Sequence, residues 1–123
     1  MGEKIMNINF AAILRNWDGV ALSKLNFGVK SAEVATLGFI ARVALGQSHQ
    51  DEKNISGDSK IQRFELGLKV REDAEVDVTL DEAKLIQDVT NKMLTPLVYG
   101  QVVRLLNGKD SGIEAAPEKK ETK

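Results

Sequence analysis

The side chains of this chain that could do chemistry are few and scattered. Its one histidine, His49, lies beside Gln50 and Asp51 in the polar stretch 48–59, and there is no cysteine. A nucleophilic triad would need a serine activated by that histidine, and no G-x-S-x-G elbow is present. Zinc would have to rely on carboxylates with at most one imidazole, a poor ligand set. The densest acidic feature comprises Glu72, Asp73, Glu75, Asp77, Asp81 and Glu82. Hard oxygen ligands of this kind suit Mg2+ or Ca2+. The stretch DAEVDVTLDE, however, lacks the alternating ligands, central glycine and closing glutamate of an EF-hand loop. Acids are favoured at a helix N-terminus in any case, and this run flanks one. Neither G-x-G-x-x-G nor G-x-x-x-x-G-K-[ST] occurs, so no phosphate loop is expected. The expectation is no enzyme: no catalytic set, no metal and no cofactor.

Binding chemistry is better represented. Trp17, the single tryptophan, sits next to an Asp-Gly turn signal. It either completes an apolar core stripe with Phe10, Ile13 and Leu14 or stands out as an aromatic anchor at an interface. Asp77 and Asp81 offer an acidic patch to a basic partner, and Tyr99 and Arg104 lie on the last helix. These five residues form the candidate protein-binding set. The alternative is a nucleic-acid surface made by Lys60, Arg63, Lys69 and Arg71, diluted by Glu65, Glu72 and Asp73. A recognition helix needs polar and basic residues aimed at the groove. The last helix offers only Tyr99, Gln101 and Arg104 for that purpose.

The elements that must position these residues are clearly punctuated. Thr79 with Glu82 matches the capping box, and Leu85, Ile86, Val89 and Met93 line one face of the helix that follows. Thr95-Pro96 opens a second helix, with proline at the first helical position. Val98, Val102, Leu105 and Leu106 form its face, and Asn107-Gly108 ends it. The short join makes the two helices neighbours. The second is apolar around most of its circumference, so it must be covered on most sides. Gly100 in its middle suggests close approach of another backbone. An earlier helix is expected after Thr36, with Leu37, Ile40, Ala41, Ala44 and Leu45 inward and Gly46 as its stop. A third amphipathic helix over residues 60–73 carries Ile61, Phe64 and Leu68 on one face.

The stretch 8–25 has two readings. Phe10, Ile13, Leu14 and Trp17 fit a short helix followed by the Asp18-Gly19 turn and a strand at Val20, Ala21 and Leu22, and a hairpin is the competitor. Strands there, at Val34 and at residues 76–78 would make a minor sheet. The fold class is therefore mainly α, a compact bundle of three to four helices with a short N-terminal turn or strand. Residues 1–108 form one domain and 109–123 a disordered charged tail.

At 123 residues, 42% hydrophobic and 28% charged, the chain can bury one modest core. A net charge of −1 gives no global pull toward nucleic acid or anionic membranes. No apolar run reaches the roughly 18 to 20 residues of a membrane span, and no secretory leader is visible, though Met6 is a second candidate start. The absence of cysteine fits a reducing cytoplasm.

Taken in order, NFAAIL…WDG, TLGFIARVAL, KIQRFELGLKV, VTLDEAKLIQDV and PLVYGQVVRLL resemble small, largely uncharacterised proteins of tailed phages and prophages, over residues 7–108. The most distinctive pieces are Thr36-Leu37-Gly38 and Pro96-Leu97-Val98 with Gly100-Gln101. The resemblance carries no catalytic residues. It implies a viral protein in the host cytoplasm that binds host machinery as an inhibitor or regulator, binds nucleic acid as a regulator, or assists particle assembly. A homodimer through the apolar last helix is a secondary expectation.

Overall fold

The computed structural model describes residues 5–47 and 55–116. Among the described residues are strand β1 (Ile5–Asn9), helices α1 (Leu37–Leu45) and α2 (Gly57–Lys69), strand β2 (Glu75–Thr79), and helices α3 (Leu80–Asn91) and α4 (Pro96–Leu106). The chain is a mainly helical bundle with a minor antiparallel two-stranded sheet.

Capping chemistry sets where the helices begin. Thr36 Oγ1 accepts the Phe39 N–H at 3.1 Å, and Ser56 Oγ accepts that of Ser59 at 3.1 Å. The expected capping box is complete: Thr79 Oγ1 accepts from Glu82 N–H at 3.1 Å, and Glu82 Oε1 accepts from Thr79 N–H at 2.8 Å. Helix α4 starts at Pro96 without a side-chain cap bond, and Gly108 follows it with φ of +81°. The expected inward faces are buried in α1 (Leu37, Ile40, Ala41, Ala44, Leu45) and in α4 (Val98, Val102, Leu105, Leu106). Helix α1 packs on α2 and α3, α3 packs on α4, and α4 reaches β1. In the sheet, Ile5 pairs with Thr79 and Asn9 with Glu75. Ile8 and Val78 face the core from it, while Asn7, Asn9, Glu75 and Asp77 are exposed.

Four features depart from the sequence reading. Residues 10–17 are not helical. Phe10 and Leu14 are fully buried, but on an extended path whose hydrogen bonds run to distant segments: Phe10 N–H to the Ala74 carbonyl, Leu14 N–H to Ala35, and Leu37 N–H to Ala12. Isolated bridges Ile13 to Thr36, Arg15 to Ala21 and Ser23 to Val34 complete this irregular ladder. The hairpin reading describes it better, because the Asp18-Gly19 turn returns the chain as expected.

Second, α4 buries Val98, Val102, Leu105 and Leu106 within its own chain, but not through a close backbone approach at Gly100. Gly100 is exposed, and a Cβ there would meet nothing within 4 Å. The close backbone approach occurs at Gly38 instead, where a Cβ would collide with the Arg71 carbonyl. Third, Ile61, Phe64 and Leu68 of α2 face solvent, and the helix buries Leu66. Fourth, α2 begins at Gly57, inside the stretch read as loop. Of the charged tail, residues 109–116 are described, and Ala116 N–H donates to the Gly19 carbonyl at 3.0 Å. No described helix is long and apolar enough to cross a membrane.

Candidate partner-binding surface

The strongest candidate is built around one turn. Asn16 Oδ1 accepts the N–H groups of Asp18 at 2.9 Å and Val20 at 3.0 Å, so its side chain substitutes for a backbone turn. Asn16 N–H donates to the Val20 carbonyl at 2.9 Å, and Gly19 N–H donates back to Asn16 at 3.0 Å. Gly19 has φ of +86°, a conformation that side chains disfavour. It is buried beneath residues 114–116, so a Cβ would collide with the Glu114 carbonyl. Arg15 reaches across the turn, its guanidinium donating to the Gly19 carbonyl at 2.9 Å.

This turn is fixed to the core by Gln101 of α4, which the sequence reading had placed on the surface. Gln101 is 2% exposed. Its Oε1 accepts the Arg15 N–H at 2.9 Å, and its Nε2 donates to the carbonyls of Arg15 at 2.7 Å and Leu97 at 3.0 Å. One side-chain amide thereby serves both backbone groups of Arg15, as a neighbouring strand would. Trp17 projects from the turn 75% exposed. The core reading of Trp17 is thus corrected: on an extended path it cannot share a face with Phe10 and Leu14. The Asp-Gly signal was legible. Asn16 and Gln101 were not, because a glutamine on an apolar helix carries no mark of whether its amide has a buried partner.

The other candidate residues are dispersed. Asp77 is exposed on the outer sheet face, where it accepts from the Asn7 amide at 2.9 Å. Asp81 is exposed in the first turn of α3. Tyr99 is half-buried. Arg104 is engaged with Asp110, donating to its carboxylate and to its carbonyl, both at 3.1 Å. That contact, with the Gly112 N–H, holds the Asp110 carboxyl below the usual range. In the alternative basic set, Lys60 is exposed and Arg63 half-buried. Lys69 pairs with Glu82 at 2.7 Å and Arg71 with Asp73 at 3.6 Å. His49 lies outside the described residues.

The acidic run does not converge. Glu72 accepts from Lys24 at 2.9 Å with Arg42 at 3.8 Å, while Glu75 and Asp77 alternate on an exposed strand face and Glu82 caps α3. Among the described residues no three acids or histidines are grouped to hold a metal ion. A groove of about 710 Å3 between α2 and α3 is lined by Glu65, Lys69, Asp81, Glu82, Lys84 and Asp88 among others. Partial burial pushes the Glu82 carboxyl up, but the Lys69 ammonium and the Thr79 N–H outweigh it and hold the group low. Hydrogen bonds from Lys24 to Glu72 and Glu33 hold its ammonium above the ordinary lysine value. These three shifts all favour the charged forms of ion-paired groups. Comparison of the chain with known protein families, curated proteins and solved structures finds no match.

Proposed function

We propose that this chain acts without catalysis, by binding a protein partner, with Trp17 as the anchor. The observation that carries this reading is a 75%-exposed tryptophan on a turn held by its own hydrogen bonds, by Gln101 and by residues 114–116. Tryptophan is the residue most enriched among interface hot spots. A turn already fixed in place loses little freedom when it docks, which favours affinity. Exposed Asp18 and Val20 lie on the same turn and supply a polar and an apolar neighbour. The phage resemblance adds a host factor or a particle component as the class of partner, and a cytoplasmic setting. The nucleic-acid alternative has weaker support, because Lys69 and Arg71 already face carboxylates.

Paired affinity capture from bacterial lysate tests this, using the wild type and Trp17→Ala. The substitution should leave stability within about 0.5 kcal/mol, as at exposed sites generally, and should abolish retention of the specific partner. Equal retention by both proteins would refute the assignment. So would salt-sensitive nucleic-acid binding that Lys60→Glu removes.

A further inference from the structure

Helix α2 presents the least expected surface of the molecule. Leu66 and the capping Val70 hold it to the core. On the opposite side, Ile61, Phe64 and Leu68 are 56%, 65% and 63% exposed. Their spacing of three and four residues is that of a coiled-coil seam. With Ile61 and Leu68 at a and Phe64 at d, Lys60 falls at g and Glu65 at e, both exposed. The flanks of the stripe thus differ in sign: Lys60 on one side, Glu65 and Asp58 on the other.

We infer that this face pairs with α2 of a second copy of the chain, the two helices running parallel about a two-fold axis. The flanking charges choose the arrangement. In a parallel pair each g residue meets the e residue five positions on in its partner, so Lys60 of each copy faces Glu65 of the other, twice by symmetry. An antiparallel pair sets e against e, bringing Glu65 and Asp58 onto acids. A hollow of about 180 Å3 beside the stripe, lined by Leu45, Gly46, Phe64, Gly67 and Leu68 together with Arg42 and Arg63, gives the partner's side chains room to enter. The three seam residues bury roughly 300 Å2 per copy, on the order of 100 Å2 each. That falls short of the roughly 800 Å2 per partner of a standard interface, so the association is weak and reversible. It is independent of Trp17.

Sedimentation equilibrium of the full chain, up to about 1 mM, reads this directly. The weight-average mass is expected to climb from one chain toward two with rising concentration. Phe64→Asp should abolish the climb while leaving the unfolding temperature unchanged, and Trp17→Ala should leave the climb intact. Lys60→Glu and Glu65→Lys should each weaken association, and their combination should restore it. Because the chain has no cysteine, Ile61→Cys and Leu68→Cys can each be oxidised alone. A parallel pair cross-links each to its own counterpart. A mass that stays at one chain throughout would overturn the inference. So would cross-linking only when the two cysteine variants are mixed, which is the antiparallel signature. A foreign protein held by the wild type and lost in Phe64→Asp, with the chain itself monomeric, would also overturn it.

Discussion

At the scale of the residue, Gln101 shows how one buried polar side chain can decide the path of a distant segment. Arg15 lies 86 positions away in sequence, yet both of its backbone groups are satisfied by the Gln101 amide. An unpartnered buried backbone group costs about 1–3 kcal/mol, and here two would be orphaned together. Gln101→Met keeps the volume and removes the hydrogen bonds. It should lower the unfolding free energy by about 2–4 kcal/mol and speed amide exchange at Arg15 and along the turn to Val20. Denaturant melts and residue-resolved exchange check both effects. Unchanged protection at Arg15 would show that the amide only fills space. The anchoring of the Trp17 turn is therefore a property of α4 as much as of the turn itself.

At the scale of the element, local signals were legible and long-range ones were not. Helices α1, α3 and α4 could be read because their caps, periodic faces and stops lie within a few residues of each other, as in the reciprocal pair Thr79 and Glu82. Strand β1 escaped notice because it is five residues long, contains two asparagines and finds its partner about 70 positions later, at Asp77 and its neighbours. The stretch from Phe10 to Trp17 has helical spacing, but its backbone is claimed by Ala35, Ala74 and Gln101, contacts that no local window can reveal. For the same reason the candidate anchor was identified by residue type and its exposure only by the fold. Two glycines make the contrast testable. Gly38→Ala drives a Cβ into the backbone of Arg71 and Glu72, which cannot swing aside as a side chain would, and should destabilise by about 1–3 kcal/mol or more. Gly100→Ala adds a methyl to open space in a helix interior and should stabilise by up to about 1 kcal/mol. Paired thermal melts giving the same sign for both would contradict this assignment of the close approach.

At the scale of the whole molecule, ion pairs join segments around one shared core. Lys24 bridges Glu33 and Glu72, Lys69 ties α2 to α3 through Glu82, and Arg104 holds Asp110 of the returning tail. Their pH behaviour follows from the direction of each shift. Glu82 and Asp110 are lower in the folded chain than their ordinary values of 4.5 and 3.8, so the stability they contribute is present above those values and is lost as pH falls through the folded ones. Lys24 is raised above 10.5, so its contribution is full below that value and is lost as pH rises through the folded one. The two ends of the pH scale therefore probe different joints. Glu82→Gln should be weaker than the wild type at neutral pH by no more than about 1 kcal/mol, since the Lys69 pair is partly solvent-screened. The gap should close on acidification below 4.5. Lys24→Met should show a gap at neutral pH that closes instead at strongly alkaline pH. Stability curves against pH for the two variants check this. A Glu82→Gln deficit that persists undiminished in acid would mean that the carboxylate's charge contributes nothing to holding α2 against α3.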